Sequence, residues 1–484
     1  MSTEKSKSIS MTTKQLRVSG KASNGLRQNI HDGVFSVVLE YAIPSQEQPF
    51  MMAVEEGVKI AKYVSKEKRI SSLAITDGFT GKNQYGLMEV LKVLRKTARK
   101  KEMIIALSGR GMKTDELMTL LTDLAGKDVG SVSVHTGPAL ENHPVNEKGT
   151  PQPFPEGYMD SAKMLYRIRK TWRDVFLGAR VNPYKYNLAD AHLQYYRMLK
   201  SVATGAEFVV TQAGWDMKKL QEFQWYQHRR NLEIPAIARL MFLQGPEVSK
   251  IVNNEYPGLL LSRELGTRVQ REYGDEPEGI RLSIERLALQ AAGCRLMGYS
   301  GIQLAGIYER DAAEMIIERV FEALEEYDDY AKWVDGWQEL HERIEMAPYP
   351  NRYYIFKDLL NRDYLDFDDE VVTTVSDELE SPAAAERWRY KMAKRLELDH
   401  KNGPITNVLQ RLLCGYQPGA EWKLQKTAMQ CAASCPKGLE EGACEESRAD
   451  GTCEFGHKPC FFHSVLRLEQ WQNNLEKFEE PYVD

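Results

Sequence analysis

The sequence has no long apolar run: no stretch of about 18 consecutive apolar residues occurs among its 484 positions. Residues 1–32 form a polar N-terminal extension, without the apolar core that a secretory signal peptide needs. These two absences predict a cytoplasmic protein with no membrane span.

The chain also has no excess of basic residues. Its 64 lysines and arginines are outnumbered by 69 aspartates and glutamates, which gives a formal net charge of −5. A surface that follows a nucleic-acid backbone needs clustered positive charge. We therefore expect no nucleic-acid partner.

Cysteine is almost absent from most of the chain, where Cys294 stands alone. The other six of the seven cysteines lie close together in the sequence: Cys414, Cys431, Cys435, Cys444, Cys453 and Cys460. In a reducing compartment, such clustering favours metal ligation over disulfides.

The preferred metal ligands are four cysteines, with Cys431 or Cys414 as a replacement: Cys435, Cys444, Cys453 and Cys460. Four thiolates suit either a [4Fe-4S] cluster or a tetrahedral zinc ion, and their spacing does not decide between the two. His457 and His463 are less favoured donors, because a histidine beside a metal loop is more often solvated or hydrogen-bonded to a ligand.

Short β-branched runs alternate with amphipathic helical segments from residue 34 to 325, which predicts parallel strands joined by crossover helices. The predicted strands are residues 35–40, 72–76, 103–108, 131–135, 175–179, 207–211, 234–238 and 301–305. Eight such units favour an α/β fold with a closed (β/α)8 TIM barrel over an open sheet. We place the barrel at residues 33–328 and a small, mainly helical, cysteine-rich domain at residues 329–484, with its metal site at 431–460.

Several segments then point to one family. They are FSVVLEYAIP from Phe35, IIALSGRG from Ile104, SVHTGP from Ser133, the stretch from Gly178 to Asp216 that contains VNPYKYN and TQAGWD, and GYSGIQLAG from Gly298. Together they resemble the methylenetetrahydrofolate reductase barrel. The run CPKGLEEGACEESRADGTCEFGHKPCFF resembles the cysteine domain that accompanies these reductases in acetogen-type systems.

The resemblance implies a flavoenzyme that reduces 5,10-methylenetetrahydrofolate to 5-methyltetrahydrofolate, or runs the reverse reaction. It implies that Glu40 is the catalytic acid, with a pKa raised by shielding from water, and that Gln212 binds the pterin. It also implies bound FAD, contacted from several strand ends by Asp77, Ser108, Arg110, Asn182, Arg197 and Lys200. Without the resemblance, Glu40 would be expected to pair with a basic residue at the barrel rim.

Two departures from the family pattern weaken the expectation of flavin. Pro138 stands where the family has an aspartate after its fourth strand, and Lys200-Ser201 replaces a basic pair. Proline has no ionisable group. A folate-binding scaffold, or a methyltransferase-type barrel that has lost hydride chemistry, is therefore the alternative. The sequence leaves open whether the electron donor is NAD(P)H or an electron-transfer protein, and whether the chain forms a homo-oligomer.

Overall fold

A parallel barrel forms the larger part of the molecule. The computed structural model describes residues 25–98, 101–125, 127, 129–342, 344–360, 373–398, 403–416, 422–456 and 458–483. Its eight strands close in sequence order, and each is parallel to its neighbours. The predicted (β/α)8 barrel, followed by a C-terminal helical region, is confirmed.

The strands lie within a few residues of their predicted bounds. They are β1 (Ser36–Ala42), β2 (Ser72–Thr76), β3 (Glu102–Ser108), β4 (Val129–His135), β5 (Phe176–Val181), β6 (Phe208–Thr211), β7 (Ala236–Met241) and β8 (Gly301–Ala305).

The helices of the barrel half of the chain are α1 (Leu26–His31), α2 (Phe50–Ala53), α3 (Glu55–Lys66), α4 (Leu87–Thr97), α5 (Thr114–Ala125), α6 (Ser161–Thr171), α7 (Leu188–Thr204), α8 (Met217–Arg229), α9 (Gly245–Val252), α10 (Arg263–Glu272), α11 (Glu276–Leu296) and α12 (Arg310–Glu326). They are followed by α13 (Tyr330–His341), α14 (Lys357–Leu360), α15 (Ala384–Arg395), α16 (Pro404–Cys414) and α17 (Phe461–Trp471). Short 3-10 turns occur at Pro155–Gly157, Leu424–Thr427, Ala432–Ser434 and Leu475–Phe478.

Alternate residues of each strand point into the barrel and fill it in layers. The lower layer is apolar and consists of Val38, Ala74, Ile104, Phe176, Phe208, Val210 and Ile237. Leu26 of α1 packs against this layer, and its amide donates to the Glu102 carboxylate. The bottom of the barrel is thus closed, and the opposite end holds the polar residues.

Helix α7 has well-defined ends, which fixes the residues that it presents at the barrel mouth. The side chain of Asn187 accepts a hydrogen bond from the Asp190 amide and caps the first turn. Gly205, with a φ of 121°, ends the helix in a conformation that glycine adopts without steric cost.

The barrel core continues past the predicted boundary at residue 328. Trp333 and Trp337 of α13, together with Tyr354, Phe356 and Leu360, belong to the same buried cluster as the helices around the barrel. The indole of Trp333 also donates to the Leu289 carbonyl at 2.7 Å. Residues up to Leu360 therefore pack with the barrel.

The C-terminal domain has a separate apolar cluster, which includes Tyr390, Leu398, Cys431 and Phe462. Leu193 of α7 belongs to this cluster, and Tyr196 of the same helix stacks on Phe478 at 5.4 Å. Helix α7 is therefore shared between the barrel and the C-terminal domain.

Within the part of the chain that the structure describes, no helix is both long enough and apolar enough to cross a membrane.

Candidate functional site

Polar side chains line the end of the barrel opposite α1. By the alternation along each strand, the inward-facing residues at this end are Glu40, Thr76, His135, Arg180, Gln212, Arg239 and Gln303. All seven are buried, and they lie at the C-terminal ends of the strands, where TIM barrels carry their active sites.

Glu40 and Arg239 form an ion pair across this end of the lumen. Arg239 Nε lies 2.7 Å from Glu40 Oε2, and Arg239 Nη2 lies 2.6 Å from Glu40 Oε1. Thr76 donates to Oε1 at 2.9 Å, and Gln303 donates to Oε2 at 2.6 Å. Each carboxylate oxygen of Glu40 therefore accepts two hydrogen bonds.

These partners keep Glu40 ionised. Burial alone would raise the pKa of Glu40, but the charge and hydrogen bonds of Arg239 and the Gln303 amide outweigh it and hold the pKa below its usual value. The expected rise in the pKa of Glu40 is therefore wrong for this structure. Pairing with a basic residue, which was expected in the absence of the resemblance, is what occurs.

Gln212 belongs to the same network. Its side-chain oxygen accepts hydrogen bonds from Arg239 Nη1 at 2.9 Å and from the Ala213 amide at 3.1 Å. The structure thus brings together Glu40 and Gln212, the two residues to which the resemblance gives chemical and pterin-binding roles, with Arg239 between them.

Asp77 lies beside His135, with its Oδ1 3.3 Å from His135 Nε2. Burial would raise the pKa of Asp77, but His135, Arg180 and Arg239 lower it to about 2. The pKa of His135 is lowered, first by burial and then by the charge of Arg180. Asp77 is therefore ionised at neutral pH, and burial disfavours the protonated form of His135 beside it.

Ser108 and Arg110 lie at the end of β3. Ser108 Oγ accepts a hydrogen bond from the Arg110 amide at 3.2 Å. The Arg110 guanidinium donates to the carbonyls of Thr80 and Gly81 in the loop after β2. Both residues thus stabilise the rim of the barrel.

Residues 441–447 of the C-terminal domain, here called the capping segment, lie across the mouth beside α7. Asn182 donates to the Glu445 carbonyl at 2.8 Å. Lys185 donates to the carbonyls of Glu445 and Ser447, and the Gln194 amide donates to the Cys444 carbonyl. Backbone carbonyls of the capping segment are thus held by side chains of the barrel.

Two buried ion pairs add to this contact. Arg197 Nε lies 3.0 Å from Glu445 Oε1, and both side chains are almost inaccessible to solvent. Lys200 Nζ lies 3.0 Å from Glu441 Oε2. Moving the capping segment off the barrel would leave these charges buried without their partners, which costs free energy. The two ion pairs therefore hold the capping segment on the barrel.

The C-terminal domain also covers the end of β4, where Pro138 replaces the aspartate of the family pattern. Lys437 donates to the Gly137 carbonyl at 2.6 Å and pairs with Glu454. The other carboxylate oxygen of Glu454 accepts from the Ala139 amide at 3.0 Å. A carboxylate from the second domain thus lies next to Pro138.

Four of the six residues expected to hold FAD bind other parts of the protein in this arrangement. Asn182, Arg197 and Lys200 are hydrogen-bonded to the capping segment or paired with it. Arg110 is bonded to its own rim loop, so it is not directed at a phosphate. FAD could reach Asn182, Arg197 and Lys200 only if the capping segment moved away from them.

The four preferred cysteines face one cavity of about 980 Å³. Burial raises the pKa of each thiol: to about 11 for Cys435, to about 12 for Cys444 and Cys453, and well above the usual value for Cys460. The four thiols also influence one another electrostatically, which means that they lie close together. This donor set is chemically suited to zinc or an iron-sulfur cluster.

The thiols are not drawn into a coordination shell. Within the described ranges, no three His, Cys, Asp or Glu side chains are grouped closely enough to hold a metal ion. Cys431 is buried in the apolar cluster of the C-terminal domain. His463 bonds to Asp190 at 2.8 Å, and His457 lies outside the described residues.

The sequence-based set lacked several residues of this site, among them Thr76, Lys185, Arg239 and Gln303. Arg180, Arg239 and Gln303 each interrupt a short apolar strand, in GARV, IARLM and GIQLA. A charged or amide side chain within a buried parallel strand is a signal of a lumen-facing position. No sequence signal pointed to Lys185, because its partners lie about 260 residues away.

The comparisons with known proteins concern the two parts of the chain separately. Residues 413–483 match a family model described as methylene-tetrahydrofolate reductase C terminal. None of the curated proteins matches the chain. A solved structure, described as an uncharacterized protein from Clostridium thermocellum that binds two copies of 5-methyl-5,6,7,8-tetrahydrofolic acid, is 13% identical, with a TM-score of 0.45 over 62% of this chain and 99% of that chain. The family model thus agrees with the resemblance of the cysteine region, and the match lies in the part of the chain that follows the (β/α)8 barrel.

Proposed function

We propose that the chain binds a tetrahydrofolate derivative in the polar end of its barrel and acts on one-carbon folates without FAD at the rim. One observation carries this proposal: three residues expected to hold FAD, Asn182, Arg197 and Lys200, bind the capping segment instead. We therefore assign the ligand to the polar end of the lumen, beneath the capping segment.

The side chains in this lumen suit a pterin ring, which offers both donors and acceptors along one edge. The Gln212 side chain uses its oxygen for Arg239 and Ala213, and its amide nitrogen has no hydrogen-bond partner among the described residues. An arginine donates only and an aspartate accepts only, so Arg180 and Asp77 complement acceptor and donor atoms of a ligand. Phe79, which lies under Arg239 at 4.3 Å and stacks on Tyr256, supplies an aromatic wall.

Flavin-dependent reduction of 5,10-methylenetetrahydrofolate, or its reverse, is the second candidate. It is favoured by the position of Glu40 at the end of β1 and by the family of the C-terminal domain. For Glu40 to donate a proton, Arg239 would have to withdraw, because a carboxylate bonded to a guanidinium stays ionised. The capping segment would also have to leave the rim.

We also propose that Cys435, Cys444, Cys453 and Cys460 bind a metal centre. Zinc there would brace the loops, whereas a [4Fe-4S] cluster would add the capacity to pass single electrons to a partner protein. Cys444 lies within the capping segment, so metal bound by the four thiols would also hold that segment in place.

The test is anaerobic purification, followed by a visible spectrum and by calorimetric titration with 5-methyltetrahydrofolate. We expect no stoichiometric flavin, and we expect folate binding that Gln212→Leu weakens about tenfold, whereas Gln270→Leu on the exposed face of α10 leaves it unchanged. Stoichiometric FAD with folate-dependent redox turnover would favour the second candidate. A preparation that binds neither folate nor flavin would refute both.

A further inference from the structure

Arg180 faces the lumen of the barrel, and its guanidinium has no hydrogen-bond partner among the described residues. Its side chain is only 6% exposed, yet it donates no hydrogen bond and forms no ion pair with any described residue. Arg239, on β7 of the same lumen, bonds to Glu40 and Gln212. A buried charge without a partner costs folding free energy, so a protein that keeps one needs another use for it.

Other unsatisfied polar atoms lie in the same region. Four buried atoms have no hydrogen-bond partner among the described residues. Two belong to the barrel, Asp77 Oδ1 and His135 Nδ1, and two to the capping segment, Glu445 Oε2 and Glu446 Oε2. Arg180 interacts electrostatically with Asp77, Glu40 and Glu446, and His135 interacts with Glu445. Asp77 of the barrel and Glu446 of the capping segment are thus both near enough to act on Arg180.

Buried polar groups are nearly always hydrogen-bonded, so a cluster of unsatisfied ones marks a place where a polar ligand or water is bound. The strand order supports this interpretation, because Arg180 follows Ala179, which is paired with Val134 next to His135. Arg180 and His135 therefore share one level of the lumen. Asp77, beside His135, supplies the acceptor.

We propose that Arg180 and Asp77 bind the 2-amino-4-oxo edge of a reduced pterin, with Arg180 donating to the O4 carbonyl and Asp77 accepting from N3–H and the 2-amino group. The charges match this edge, since arginine has only donors and an ionised aspartate has only acceptors. The inference rests on the proposed function and adds to it the residues that select the ring. The capping segment then forms the roof of the pterin site.

The test compares two fragments of the ligand by anaerobic calorimetry: 6-methyltetrahydropterin, which has the ring but no tail, and p-aminobenzoyl-glutamate, which has the tail but no ring. We expect Arg180→Met and Asp77→Asn each to weaken the binding of 5-methyltetrahydrofolate and of the tetrahydropterin about 10- to 100-fold. Arg69→Met is the matched control, since Arg69 pairs with Glu67 and Glu318 at the opposite end of the barrel. It should leave both affinities unchanged.

Thermal unfolding separates a binding role from a structural one. Because Arg180 forms no hydrogen bond or ion pair with any described residue, Arg180→Met should leave the melting temperature of the free protein unchanged or raise it, whereas loss of a structural arginine would lower it. If the wild type binds folate and Arg180→Met binds it equally well, the inference is overturned and the proposed function stands. A variant that loses p-aminobenzoyl-glutamate but keeps the tetrahydropterin would overturn it as well, by assigning Arg180 to the tail. No folate binding by the wild type would refute the proposed function itself.

Discussion

Arg239 on β7 donates a hydrogen bond to each carboxylate oxygen of Glu40 on β1, with nitrogen–oxygen distances of 2.7 and 2.6 Å. The two strands are not neighbours, since β8 lies between them. The ion pair therefore links two strands that share no backbone hydrogen bonds. Gln303 of β8, the strand between them, donates to the same carboxylate. A residue expected to be a proton donor is thus the most heavily hydrogen-bonded carboxylate at the polar end of the barrel.

Arg239→Met should destabilise the protein by about 3 to 5 kcal/mol, because it leaves the Glu40 charge buried without its cation. Chemical denaturation at neutral pH measures the loss. The double variant Arg239→Met with Glu40→Gln removes both charges and should recover a large part of the stability. Equal destabilisation in the single and double variants would contradict the prediction.

Gly258→Ala should loosen the capping segment. Gly258 has a φ of 74°, and a Cβ there would overlap Glu446 Oε2 and lie 2.9 Å from the Glu445 carbonyl oxygen. Gly149 is a matched control, because its φ of 72° carries the same backbone strain while a Cβ there would meet nothing within 4 Å. Hydrogen exchange of residues 441–447 should rise in Gly258→Ala and stay unchanged in Gly149→Ala. A similar effect of both substitutions would show that strain alone is responsible.

Arg197→Ala should cost about 3 to 5 kcal/mol, because Glu445 would be left as an unpaired buried charge. The surface pair of Arg27 and Glu207 gives the contrast, since those side chains are 56% and 32% exposed. Arg27→Ala should cost no more than about 1 kcal/mol. Denaturant titration of both variants tests this ranking, and a reversed order would refute the buried contact between the domains.

Asp77 should contribute a pH-dependent share of stability. Its pKa in the folded protein, about 2, lies below the ordinary value of 3.8, so the stabilisation is complete above about pH 4 and is lost as the pH falls through 2. The shift corresponds to about 2 kcal/mol. Asp77→Asn should abolish this share. Unfolding free energies of wild type and variant should therefore converge as the pH falls from about 6 to about 2, and parallel curves would contradict the assignment.

Metal binding should depend on four thiols and not on the others. Alanine at Cys435, Cys444, Cys453 or Cys460 should abolish stoichiometric zinc or iron in the anaerobically purified protein. Cys294→Ala, in the barrel core, should retain it, apart from a loss of stability from the small cavity. Elemental analysis of each variant tests the prediction, and metal retained by all four variants would refute the site.

The amino-acid sequence by itself determined the barrel. Its eight short apolar runs, separated by amphipathic helices, predicted the strands and their bounds to within a few residues, because a buried parallel strand is apolar over most of its length. The grouping of the cysteines likewise follows from their sequence spacing, since loops rich in glycine and proline allow nearby thiols to face one cavity.

Only the tertiary structure decided the hydrogen-bond partners and the ionisation of the candidate residues. The resemblance gave Asn182 and Arg197 a role in binding FAD, but their partners lie 263 and 248 positions away along the chain. No local pattern encodes a contact over that separation. The ionisation of Glu40 was decided in the same way, because the pKa of a buried carboxyl depends on which charge faces it, and the closed barrel brings Arg239 there.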